Sequence, residues 1–231
     1  MIRTALIEDV EELKTIWSQI FGDEDELIEN FFALFDEIDS LVYETDGRIV
    51  SMLYMINAET STYLYGLATL NEYRGRGYMG KLIEYALNKA SGTEYIFLMP
   101  AEESLYGFYE RYGFKDKTYT YSYGYDKSFE KMIPVNMEEI MEFVTKDYEC
   151  TNNFVKFGQN IIKYVMTEED WKFYKVIFRG REAGYAIMLD DRIKYYGMSR
   201  DAYEAMGLQK FADSVMLMKG VHGRVEGFIP F

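Results

Sequence analysis

The chain has 231 residues, 48% of them hydrophobic and 28% charged, and 25 Lys and Arg against 39 Asp and Glu leave a formal charge of −14. That length holds one large domain or a domain with a smaller companion, with enough chain to bury a core. The acidic balance argues against nucleic acid as a partner, because phosphates need a basic face, and it permits a cationic substrate.

One cysteine, Cys150, excludes an intrachain disulfide; with a single histidine, His222, it also excludes the usual Cys/His zinc site. No apolar signal core opens the chain and no run of about 18 apolar residues occurs, so a cytoplasmic protein without a membrane partner is expected.

In chain order, a short strand at 2–5 precedes a helix whose Val10, Leu13, Ile16, Trp17 and Ile20 share a face, stopped by Gly22. A second helix aligns Leu27, Phe31, Leu34 and Phe35. Asp46-Gly47 between two apolar runs predicts a tight hairpin over 40–59. A third strand, STYLYGLATL at 61–70, enters a glycine-rich turn, and a helix follows from about Met79 to Lys89. A buried strand at 94–100, a short helix at 103–113 and a tyrosine-alternating strand at 115–125 complete the order β-α-α-β-β-β-α-β-α-β. This is an α+β fold, a mixed sheet with helices on both faces. Tyr119, Tyr121, Tyr123 and Tyr125 fall on one face of the last strand, most simply a packing face towards a second domain.

Beyond it, Pro134 and the pair Asn136 and Glu139 mark a linker and a new helix start. Three strands within 173–199, a helix near 200–207 and an apolar run at 214–220 follow. The expected division is therefore 1–126 and a smaller α+β domain, 127–231. The hairpins at 41–56 and 175–189 are faintly alike. Either the second half is a degenerate repeat that has lost the glycine turn, or two hairpins resemble each other by chance.

The stretch LATLNEYRGRGYMGKLIEYAL, residues 67–87, carries the chemistry. A strand that ends in glycines and opens a helix presents free N–H groups and the positive end of the helix dipole at one spot. Gly75, Gly77 and Gly80 allow close backbone approach, and Arg74 and Arg76 add charge. Pyrophosphate is the natural ligand; the alternative is a plain turn that binds nothing. No P-loop is present.

This stretch resembles the acyl-CoA-binding motif of the GNAT superfamily of N-acyltransferases, a strand followed by Arg/Gln-x-x-Gly-x-Gly/Ala and a helix. Arg74 and Gly77 fill the pattern, Met79 departs from it, and Gly80 comes one position later. MPAEESLYGFYERYGFKDK, at 99–117, resembles the family's strand–helix–FYxxxGF segment, and the likeness spans roughly residues 1–126. It implies an acetyl-CoA-dependent N-acetyltransferase fold, with acetyl-CoA as cosubstrate and the primary amine of a small acceptor, which the acidic charge permits to be cationic, as the second substrate. Backbone groups of Leu67 and Thr69 would pair with the pantetheine arm, and an N–H near Leu67 and Ala68 would serve the oxyanion. The N–H groups of Arg74, Gly75, Arg76, Gly77, Tyr78, Met79 and Gly80 would hold the pyrophosphate.

The family motif points to Tyr109 as the acid for the leaving thiolate. Many members place a Glu on the strand before the turn, and TYLYGLATL has none. Glu44, a water wire, or no base at all remain open. Some multidomain members use their own terminal carboxylate, which here would be that of Phe231 in the apolar tail GFIPF. His222 reads as a loop residue between glycines and Cys150 as a bystander. A homodimer through the C-terminal strands is possible, and the rival reading is a catalytically silent acyl-CoA-binding module.

Overall fold

The computed structural model describes residues 1–126, 132–150, 158–166 and 170–220. In order these form β1 (Ile2–Thr4), α1 (Val10–Phe21), α2 (Asp25–Phe32), β2 (Asp39–Thr45), β3 (Arg48–Asn57) and β4 (Ser61–Thr69). Then come α3 (Tyr78–Lys89), β5 (Tyr95–Leu98), α4 (Tyr106–Glu110), β6 (Asp116–Gly124), β7 (Met132–Pro134) and α5 (Met137–Cys150). The chain continues through α6 (Gln159–Val165), β8 (Lys172–Phe178), β9 (Arg181–Leu189), β10 (Arg192–Met198), α7 (Arg200–Ala205) and β11 (Gln209–Gly220). The first ten elements follow the order read from the sequence. Among the described residues no helix is long and apolar enough to cross a membrane.

Two compact units form. The first is Met1–Thr118 together with residues 216–220, and the second lies within Tyr119–Val215. A continuous 1–126 domain omits that return of the chain. Long-range strand pairing gave no local signal of it, since β5 and the end of β11 are separated by more than a hundred residues.

In the first unit β1, β2, β3 and β4 are antiparallel neighbours, and β5 joins β4 in parallel. The far side of β5 is covered by β11, from Leu217 opposite Leu98 to Gly220 opposite Tyr95. Asp46 and Gly47 take φ of 53° and 73°, the left-handed pair that a two-residue hairpin turn requires. Helix α1 turns Leu13, Ile16 and Trp17 inward and α3 turns Leu82, Ile83 and Ala86 inward, against a β3 buried from Ile49 to Ile56. Burial of that apolar surface, at about 25 cal/mol per Å², is the main force holding the unit.

In the second unit β7, β8, β9 and β10 are successive antiparallel neighbours, and β6 pairs with β10 at Tyr123 and Ile193. Asn136 and Glu139 make the expected capping box: Glu139 N–H donates to Asn136 Oδ1 at 2.9 Å, and Asn136 N–H to Glu139 Oε2 at 3.2 Å. Val176, Ala186, Met188, Ile193, Ala202 and Met206 form its core. The order β7-α5-α6-β8-β9-β10-α7-β11 repeats β1-α1-α2-β2-β3-β4-α3-β5. The faint likeness of the two hairpins thus extends to eight elements. On β6 the buried side chains are Thr120 and Ser122, while Tyr119 is 43% exposed. Tyr123 and Tyr125 of the alternation pack against the second unit's core, as expected of a packing face.

Candidate active site

Strand β4 is paired on both sides at its start and on one side at its end. Its ladder to β5 runs Ser61–Tyr95, Thr62–Ile96 and Tyr63–Phe97 and stops there, while its ladder to β3 continues to Thr69 opposite Ser51. Two parallel strands therefore part after Tyr63, and residues 64–69 turn towards the gap an edge that has no ladder partner among the described residues. Within that edge the register against β3 slips: Ala68 faces Met52 and Tyr65 faces Tyr54, so Gly66 and Leu67 together oppose Leu53. This is a β-bulge, which re-aims the local peptide groups.

Only glycine fits its first position. Gly66 has φ of 57°, and a Cβ there would lie 2.8 Å from Tyr54 Cδ2 and 3.0 Å from Trp17 Cζ3. Beyond the bulge, buried Ser51 pins the strand end, its Oγ donating to Ala68 O at 2.8 Å and meeting Thr69 Oγ1 at 2.8 Å.

The glycine turn follows a 3-10 turn at Asn71–Tyr73. Gly75 and Gly77 have φ of 76° and 78° with nothing near a Cβ, so backbone conformation alone demands glycine. The first intrahelical bond of α3 is Lys81 N–H to Gly77 O at 3.2 Å, and no side chain caps the helix. The N–H groups of Tyr78, Met79 and Gly80 precede that bond and are the orphan donors of the first turn. Arg74 Nε donates to Thr69 O at 3.2 Å and Arg76 to Glu72 O at 3.1 Å, with Arg76 also 5.1 Å from the Tyr73 ring. The two arginines thus brace the turn and leave positive charge beside the helix N-terminus. Gly80 differs from the expectation of a ligand-facing glycine: a Cβ there would overlap the Tyr112 hydroxyl. Its bareness seats the segment after α4 on α3, while its N–H still belongs to the first turn.

Tyr109 sits in α4, a short helix with a well-defined end. Gly113 N–H donates to Glu110 O at 3.0 Å and Phe114 N–H to Tyr109 O at 3.4 Å, with Gly113 at φ of 94°. That is a Schellman cap, whose hallmark apolar contact is met by Tyr109 and Phe114, ring centroids 6.4 Å apart at 78°. The FYERYGF motif is therefore a helix stop that fixes the tyrosine. Its ring is 7% exposed, and burial pushes its phenol up to about 12. No side-chain partner for its hydroxyl occurs among the described residues. Tyr112, three residues on and just past α4, touches Gly80 in the first turn of α3.

Glu44 is spent elsewhere. Its Oε2 accepts from Arg3 Nε at 2.8 Å on the β1–β2 edge, two strands from β4. Arg3 also grips Asp9 at 2.5 Å, and these carboxylates push its guanidinium up. Phe231 and His222 lie outside the described residues; Cys150 ends α5. The strand and turn residues Leu67, Ala68, Thr69, Arg74, Gly75, Arg76, Gly77, Tyr78 and Met79 lie on one continuous β4–turn–α3 path. Sequence reading missed Gly66, Ser51 and Tyr112, whose partners are remote in the chain. A glycine inside an otherwise bulky strand was the available signal for the bulge.

A family model for the acetyltransferase (GNAT) domain matches residues 1–116. No curated protein matches the chain. Among solved structures, one from Pyrococcus horikoshii, whose acetyltransferase role is itself provisional, aligns over 99% of this chain and 91% of its own, with a TM-score of 0.64 and 14% identity. A GCN5-related N-acetyltransferase from Anabaena variabilis gives a TM-score of 0.68 at 14% identity, covering 94% of this chain and 72% of its own. Another from Kribbella flavida gives 0.64 at 14%, covering 94% and 71%. At such identities the likeness is one of fold, and it extends through both units. The parting of β4 from β5, the glycine turn and the FYxxxGF cap all fall where the family match runs, and the chain belongs to the GNAT acetyltransferase family.

Proposed function

We propose that the chain is an acetyl-CoA-dependent N-acetyltransferase acting on the primary amine of a small acceptor. The observation that carries this reading is the β4 edge left without ladder partners among the described residues after Tyr63, running through a bulge into a helix N-terminus with no side-chain cap. An acyl-CoA offers matching groups to both. Its pantetheine amides can complete the open edge at Leu67 and Thr69, and its pyrophosphate suits the N–H groups of the turn from Arg74 through Gly80. When bound, it supplies the thioester whose carbonyl carbon takes the amine.

The chain's own residues then have three tasks. A bulge N–H at Leu67 or Ala68 holds the oxygen on which charge develops. Tyr109 faces the leaving sulfur. A phenol near 12 is a weaker acid than a thiol by three to four powers of ten, so its contribution is a hydrogen bond to the thiolate more than a completed proton transfer. The acceptor's proton leaves by water, because β4 carries no acid and Glu44 is bound to Arg3.

The missing strand carboxylate also favours a second reading, a silent acyl-CoA-binding module. Calorimetric titration with acetyl-CoA, paired with mass detection of acetylated product over an amine panel, separates the two. Binding with product supports the enzyme, binding without product supports the module, and no binding ends both.

A further inference from the structure

A helix as short as α4 cannot hold its own end. With five residues, its stability comes from packing and capping, because helices below about 12 residues are marginal alone. The Schellman bonds satisfy Tyr109 O and Glu110 O, and Tyr112 O is left pointing out of the cap. Lys219 reaches that carbonyl: Nζ donates to Tyr112 O at 3.0 Å. Its stem lies across Gly113, where a Cβ would come within 3.2 Å of Cδ, Cε and Nζ. The ammonium thus adds positive charge at the negative end of α4, in a half-buried setting where screening is reduced.

The origin of Lys219 makes the contact informative. It lies on β11, opposite Ile96 of β5, a hundred residues beyond the family match that ends at 116. We propose that Lys219 is a positioning residue for Tyr109, clamping the end of α4 and so fixing where its phenol sits. The inference rests on the reading of Tyr109 as the group that faces the leaving sulfur. It explains why a glycine stands at 113 with a lysine stem laid over it, and why a strand from the far end of the chain completes the first unit.

The test uses the full chain carrying Lys219→Met, which keeps the stem and removes charge and donors, beside Lys219→Arg, which keeps both. Amide hydrogen exchange at Gly113 and Phe114 should quicken about ten-fold in the methionine variant. Its kcat should fall by about ten- to a hundred-fold, with the KM for acetyl-CoA unchanged, as expected when a catalytic group drifts by about an ångström. Arginine should restore both. Unchanged exchange, a loss carried by KM alone, or a loss that arginine does not repair overturns the proposal. If the unaltered chain transfers no acetyl group, the acetyltransferase reading fails, and the exchange measurement still decides whether Lys219 holds the cap.

Discussion

Gly66 is confined from two directions, by its left-handed φ and by the Tyr54 and Trp17 rings against its Cα. Gly66→Ala should therefore cost about 2–4 kcal/mol in urea unfolding, from backbone strain plus overpacking; a loss below about 0.5 would mean the bulge is elsewhere. Gly77 has the same φ problem and open space around it, so Gly77→Val should strain only the turn and weaken acetyl-CoA binding about ten-fold or more. These two glycines differ in legibility. The turn glycines announce themselves by clustering with arginines between strand and helix, whereas the reason for Gly66 lies in rings 12 and 49 residues away. Tyr109 adds a pH signature. Its folded-state pKa is raised to about 12, so the folded chain holds the proton more tightly and stability drains away as pH rises from about 10 to 12. Tyr109→Phe should lose less stability over that window than the unaltered chain, measured by unfolding at each pH.

At the scale of elements, α4 shows how a motif can be right for a reason the sequence does not state. FYERYGF was legible as a family segment, and its physics is a helix stop: Gly113 supplies the left-handed residue and Phe114 the apolar contact that locks Tyr109. Gly113→Ala should cost about 1–2 kcal/mol, since its φ of 94° and the overlying Lys219 stem both resist a Cβ. Strand β4 is the converse case. Its existence was plain from its apolar run, yet its parting from β5 depends on a parallel ladder that local periodicity cannot encode. The Asn136 capping box and the Asp46-Gly47 turn were readable because their partners are within three residues.

For the whole molecule, the order of elements was legible through β6, and the repeat in the second unit was visible only as a faint hairpin likeness. No glycine turn precedes the corresponding helix there; α7 begins directly after Ser199, whose Oγ accepts Ala202 N–H at 3.4 Å. The return of β11 to β5 was the main feature hidden from the sequence, and it has a consequence for solubility. A chain ended at Thr118 would bare the edge of β5, where Ile96, Phe97 and Leu98 are buried. Such a chain should aggregate or run as a large species in size-exclusion chromatography, despite containing the entire family match; a soluble monomer with native circular dichroism would contradict this.

In the proposed reaction the β4–turn–α3 path presents an acetyl thioester to an amine beside Tyr109. It is tested most directly by amine-dependent release of the CoA thiol from acetyl-CoA over a panel of mono- and polyamines, with Tyr109→Phe measured in parallel. Release by the unaltered chain is expected for at least one amine, with a drop in kcat of about a hundred-fold in the variant and acetyl-CoA affinity retained. Equal rates in the two proteins, or no amine-dependent release at all, would contradict it.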